Sequence, residues 1–328
     1  MPLTVAPWFL PMNIVWIGFH EEGLPAFTQI ASERHISAFI TLSEISFQKR
    51  SAGTHGYLQV CREHGIPVHM VDTIKNDESF EIIRDARPDL MVVLGWSEIL
   101  PDRLLDIPTI GTIGAHAALL PHNRGSAPIN WALIHGETVT GNTLMWLSRD
   151  VDAGEIIDQM SFPITPFDTC ATLYDQVART NTLMVSRLLE QLDHGIRPSS
   201  PIPNQTDEPI LPRRRPKDGL ITWDQDGQAL YDFVRALTHP YPGAFTFLDG
   251  QKWVIWEAAL CRLDLPLPGA CPGEIAGSCT AFSLPVNGLF VAVRDGLLLI
   301  TELEDEQGTI YRGAQLHDLQ LKGVFTNA

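Results

Sequence analysis

His116 and Asp152 are the side chains best placed to do chemistry in this sequence of 328 residues. His116 ends a strand-like run, Thr109–His116, and precedes a Leu-Leu-Pro turn. Asp152 stands in a tight acidic loop, Arg149–Asp150–Val151–Asp152–Ala153–Gly154, after a second strand-like run, Thr140–Leu147. Two strand ends are thus expected to deliver an imidazole and one or two carboxylates to the same sheet edge. A carboxylate can orient an imidazole and favour its charged form, which suits proton handling near neutral pH. Singly, each signal is bland: a histidine at a strand end often satisfies a structural hydrogen bond, and an Asp beside Gly often forms a turn.

The elements that must position these groups alternate in type. Asn13–Gly18, Ile36–Thr41, Pro67–Val71, Leu90–Gly95 and Thr109–His116 read as buried strands. Gly23–Arg34, Thr54–His64 and Phe80–Ala86 carry helical spacing between them. This alternation predicts an α/β fold, a mostly parallel Rossmann-like sheet with helices on both faces. Ligands bind such sheets beyond the carboxyl ends of the strands, so the loops after Leu94 and Gly114 are where chemistry belongs. Pro128 opens a short helix, 169–194 reads as a long amphipathic one, and a Pro- and Ser-rich stretch follows from Gly195 to about Pro212. Beyond Gln228–Leu237, a helix, short strands separated by Gly and Pro read as a small barrel. The expected division is a catalytic domain over 12–200, a linker over 201–227 and a carboxyl-terminal domain over 228–328. Residues 1–11 read as an extension outside the fold.

Composition narrows the function classes. Apolar residues make up 45% and charged residues 19%, a globular balance. No apolar run is long enough to span a bilayer, and the apolar opening lacks Lys and Arg and is broken by Pro2, Pro7 and Pro11. A cytoplasmic protein without a membrane partner is expected. The five cysteines are scattered without metal-ligand spacing, so reduced thiols and no metal site are expected. Neither GxGxxG after the first strand nor GxxxxGK[ST] occurs, which removes the main support for dinucleotide and P-loop readings. The net charge of −16 argues against a nucleic-acid partner. The one basic cluster, Arg213–Arg214–Arg215 with Lys217, reads as solvated linker.

The stretch from Gly111 to Gln159 resembles the formyltransferases that use 10-formyltetrahydrofolate. The resemblance is carried by His116, Leu120–Pro121, Arg124–Gly125, Ala127–Pro128, Trp131, Gly136–Glu137, Thr140–Gly141, Thr143 and Asp152–Ala153–Gly154, in that order and spacing. It extends to Val93–Leu100, Arg214–Trp223, Val234–Phe245 and Pro272–Leu303, nearly the whole chain, and makes the last domain OB-like. In that family an amine attacks the formyl carbon, so the resemblance gives His116 the developing oxyanion and Asp152 the charge state of the imidazole and the amine proton. It places the folate against Leu94, Gly95, Trp96, Ile99 and Leu100, with its pterin edge reading backbone near Asp150, Val151 and Asp152. It assigns Gly114, Asn123, Arg124, Gly125 and Pro128 to the acceptor side.

One departure stands out: the family's Asn, two residues before the His, is Gly114 here. That Asn gives the oxyanion a second hydrogen bond, and losing such a donor costs about 100- to 1,000-fold in rate. Asn142, on the neighbouring strand, is the first candidate to replace it and Asn123 the second. Ala117 and Ala118 replace the usual Pro and Ser. The acceptor expected from the acidic charge is a small-molecule amine, such as a nucleotide-linked amino sugar, on an enzyme that could be a homodimer. Methionyl-tRNA, or altered or lost transfer because of Gly114, are the alternatives.

Overall fold

A computed structural model describes residues 12–49, 53–201, 209–261, 270–278 and 288–327. The extension expected over 1–11 lies outside the described residues. Seven strands form one sheet: β1 (Ile14–Ile17), β2 (Ile36–Leu42), β3 (Val68–Val71), β4 (Leu90–Val93), β5 (Gly111–His116), β6 (Val139–Trp146) and β7 (Ile156–Pro163). Their order is β3-β2-β1-β4-β5-β6-β7. The pairs β2–β3, β1–β2, β1–β4 and β4–β5 are parallel, whereas β5–β6 is antiparallel. Strand order reverses direction between β1 and β4, the switch point at which sheets of this class open a crevice.

The helices that alternate with these strands are α1 (Leu24–Glu33), α2 (Glu44–Phe47), α3 (Gly56–His64), α4 (Asp77–Ala86) and α5 (Asp102–Leu105). Residues β1 and β4 contribute are buried throughout, as strands covered on both faces must be. On one face Trp16, Phe27, Phe39, Tyr57, Ile113 and Leu144 share a core with Met184, Val185, Leu188 and Leu189. On the other, Val15, Ile17, Ile40, Met91, Val93 and Leu104 form a second. Helix α4 starts three residues before the apolar spacing predicts. Asn76 accepts from Ser79 N–H at 2.9 Å and caps it, with Asp77 and Glu78 in the first turn. Strand β7 escaped the sequence reading because its residues are half-exposed and mixed in polarity.

The chain divides into two compact units that interleave in sequence. The first comprises 1–124, 141–162 and 175–209; the second comprises 125–140, 163–174 and 210–328. Within the second unit lie α6 (Pro128–Ile134) and α8 (Gly227–Leu237), with a short α9 (Ala314–Asp318) near the end; the long helix α7 (Cys170–Asp193) starts there. Its sheet is antiparallel, in the order β10-β11-β12-β9-β8 with β13 on β12. These strands are β8 (Ala244–Leu248), β9 (Gln251–Cys261), β10 (Ile275–Ser278), β11 (Leu289–Val293), β12 (Gly296–Glu304) and β13 (Ile310–Arg312). A mostly parallel sheet with helices, plus a small antiparallel barrel-like domain, is the fold class the sequence implies.

A buried ion pair organises the second unit. Arg235 donates to Asp232 at 2.7 Å, and its remaining donors reach Thr165 O and Asp168 O. Both side chains are buried, so the pair stands only because the guanidinium is hydrogen-bonded on every side it presents. The clamp fixes the turn from Thr165 to Asp168 that leads into α7.

Candidate active site

His116 and Asp152 meet. Nδ1 of His116 lies 3.5 Å from Oδ1 of Asp152, with side-chain exposures of 8% and 14%. Nε2 of His116 lies 2.8 Å from Asn123 O. A carbonyl can only accept, so Nε2 carries hydrogen and Nδ1 is the nitrogen that can exchange a proton with the carboxylate.

The route by which they meet differs from the expected one. Strand β6 is antiparallel to β5, with Ile113 opposite Trp146 and His116 opposite Thr143. The end of β6 therefore lies beside the start of β5, about 10 Å of strand from His116. Asp152 reaches the imidazole because the loop between β6 and β7 folds back. Trp146 N–H donates to Glu155 O, closing the base of that loop at 2.9 Å. A Cβ at Gly154 would stand 1.7 Å from Trp146 O, so the closure requires glycine. Asp152 itself has φ +51, a conformation Asp tolerates better than most residues.

Register also decides the fate of the two asparagines. Residues opposite each other in a ladder share a face, so Thr143 stands on the face of His116 and Asn142 on the other. Asn142 is fully buried, and its amide donates to Thr180 Oγ1 at 3.0 Å and Asn181 Oδ1 at 2.7 Å on α7. It does not join His116. Asn123 does, through its backbone carbonyl rather than its amide. Gly114 shares the face of His116, and a Cβ there would come within 2.7 Å of Leu147 Cδ2. Leu147 occupies the space into which a side chain at 114 would project.

The other expected residues fall into separate places. Arg124 belongs to the His116 loop but turns its guanidinium to Val151 O, 2.9 Å away. Asp150 O accepts from Ser148 Oγ at 3.0 Å, so both backbone carbonyls of that loop tip already have an internal donor. Gly125 and Pro128 belong to the second unit, Gly125 bridging to Leu211 within it. Past β4, Leu94 and Leu100 are buried, Gly95 O accepts from the N–H groups of Phe19 and His20, and Trp96 stacks edge-on to Phe19 at 5.5 Å. Ile99 is 61% exposed and Val151 49%. The indole N–H of Trp96 is buried without a partner. The loop at the switch point thus offers exposed apolar surface at Ile99.

Two residues around the site were missed as a pair. Thr143 Oγ1 donates to Ala118 O at 2.6 Å, and the amide of Gln159 reaches Thr143 Oγ1 and Leu120 O. Together they tie down the turn after His116. Thr143 was visible in the Thr-Gly-x-Thr run, whereas Gln159 lies on the unrecognised strand β7. Thiol chemistry finds no support in the buried cysteines: burial pushes Cys61 and Cys170 up to about 12, so neither supplies thiolate at neutral pH. Among the described residues, no group of three or more His, Cys, Asp or Glu could hold a metal, and no helix is long and apolar enough to cross a membrane.

Comparison with known proteins bears on the acceptor. Residues 50–189 match the family described as formyl transferase, and residues 214–318 match its C-terminal domain. The methionyl-tRNA formyltransferase of Geobacillus thermodenitrificans is 33% identical over 297 residues, 89% of each chain. That of Citrifermentans bemidjiense is 36% identical over 250 residues, 75% of this chain and 74% of its own. Among solved structures, HypX from Aquifex aeolicus in complex with tetrahydrofolic acid aligns at a TM-score of 0.66 and 18% identity. That alignment covers 96% of this chain, which spans about half the length of HypX, 48%; it speaks to the fold. The relatives' names overturn the expectation of a small-molecule amine with nucleic acid set aside, because methionyl-tRNA is itself a nucleic acid. Arg213, Arg215 and Lys217 are all exposed, so a cationic strip survives on an acidic molecule.

Proposed function

The chain belongs to the formyl transferase family, and from that premise we propose that it moves the formyl group of 10-formyltetrahydrofolate to the amine of methionyl-tRNA. The observation that carries the acceptor is the 33% identity over 89% of both chains to a methionyl-tRNA formyltransferase. In the reaction the acceptor nitrogen bonds to the formyl carbon, the bond from that carbon to the carrier's N10 breaks, and a proton passes from the amine to the leaving nitrogen. The carrier supplies the activated formyl carbon.

The chain's own residues supply orientation and proton handling. Leu94, Gly95, Trp96, Ile99 and Leu100 would hold the carrier's ring, and backbone at Asp150 and Val151 its polar edge. Asp152 orients the imidazole through Nδ1 and can receive the amine's proton. His116 would hold developing negative charge by hydrogen bonding, which requires Nε2 to leave Asn123 O for the reacting oxygen. Arg213, Arg215 and Lys217 would contact phosphates of the tRNA.

Gly114 favours a second reading, in which the carrier is hydrolysed to formate. One assay separates the two. The protein is given 10-formyltetrahydrofolate with and without methionyl-tRNA, and tetrahydrofolate and formylmethionine are both quantified. Equal amounts of the two products, dependent on tRNA, are expected. Tetrahydrofolate formed at the same rate without tRNA would establish hydrolysis instead.

A further inference from the structure

The contacts around His116 close into a ring. His116 Nε2 donates to Asn123 O at 2.8 Å; the next residue, Arg124, donates to Val151 O at 2.9 Å; and the next residue after Val151 is Asp152, 3.5 Å from His116 Nδ1. Three contacts and two peptide links thus run from the imidazole back to itself. Asn123 and Asp152 both hold positive φ, +55 and +51. Asn and Asp enter that region more readily than other residues that carry a side chain. The loop carrying Asp152 has to be held, since β6 delivers the chain to the far end of β5.

Arg124 is an uneconomical way to fill space. Its Nε is buried with no hydrogen-bond partner, and an unanswered buried donor is destabilising. An unbranched apolar side chain of like length would pack without that defect. What the guanidinium contributes at this place is its bond to Val151 O.

We propose that Arg124 is the positioning residue of the proton-handling pair: it braces the returning loop so that Asp152 faces Nδ1 of His116. The proposal rests on the reading of His116 and Asp152 given above. It differs from a role in gripping the acceptor, because the bond is internal to one unit and needs no ligand.

The test compares Arg124→Met, Arg124→Lys and Asp152→Asn in the full-length protein. The 15N signals of the His116 ring, recorded in the free protein at one pH, report its partner directly. Arg124→Met is expected to displace them in the same direction as Asp152→Asn, while Arg124→Lys, which keeps a donor, leaves them near the wild-type position. In formyl transfer, Arg124→Met should lower kcat about 10- to 100-fold, short of the full loss of an acid–base group. The KM for methionyl-tRNA should stay unchanged. Wild-type ring signals in Arg124→Met, with displaced ones in Asp152→Asn, would overturn the brace and leave the pair intact. Unmoved signals in Asp152→Asn would remove the pair and the brace together. A raised KM with unchanged kcat in Arg124→Met would also overturn the proposal, by making Arg124 a binding residue.

Discussion

Gly114 and Leu147 are best understood as one feature. Leu147 stands where a side chain at 114 would go, so an Asn placed there meets a leucine before it meets a substrate. Gly114→Asn alone is therefore expected to leave the rate of formyl transfer low. Combined with Leu147→Ala, which opens the space, it should raise kcat roughly tenfold or more, since a missing oxyanion donor costs about 100- to 1,000-fold. An unchanged kcat in the double variant would show that the missing donor does not limit the enzyme. His116 and Asp152 were legible in the sequence through their combination with the motif run that connects them, each signal being bland alone. The role first considered for Asn142 was not legible. Its face depends on the register of β5 against β6, and no residue in either strand fixes that register from sequence, because both faces are buried.

At the scale of elements, the parallel strands and their helices could be read from apolar runs bounded by Gly and Pro. The antiparallel turn of β6 and the strand β7 could not, and with them went the true path of the Asp152 loop. The turn into α7 offers a test of how firmly such loops are held. Burial opposes ionisation of Asp168, but hydrogen bonds from the Thr165 N–H, the Thr165 hydroxyl and the Thr172 hydroxyl outweigh it and hold the carboxyl below its ordinary value. A carboxyl lowered in the folded state stabilises it above the unfolded value, near pH ~4, and loses that contribution as pH falls through the folded value. Asp168→Ala should therefore lower the thermal midpoint at pH 7, and the deficit should shrink steadily below about pH 4. A deficit that stayed constant down to strongly acid pH would mean that packing, not charge, is lost.

For the whole molecule, the alternation of elements set the fold class well, and the net charge set the partner badly. A net charge of −16 describes an average, whereas a phosphate backbone meets a surface. Arg213, Arg215 and Lys217, first read as solvated linker, are exposed in the unit that holds the antiparallel sheet. Replacing all three by Ala is expected to raise the KM for methionyl-tRNA, to flatten its dependence on salt by up to about three phosphate contacts, and to leave the KM for the carrier untouched. An unaltered salt dependence would place the phosphate contacts elsewhere. On the proposed reading, one imidazole and one carboxylate govern proton movement, and the cations of the second unit govern which amine arrives.

The most direct measurement is single-turnover formylation of methionyl-tRNA from 10-formyltetrahydrofolate by the wild-type protein, His116→Ala and Asp152→Asn, with tetrahydrofolate binding measured alongside. Both variants should bind tetrahydrofolate as the wild type does and lose about 100- to 10,000-fold in the transfer rate. Transfer at the wild-type rate in either variant, or no formylmethionyl-tRNA from the wild type itself, would contradict the account.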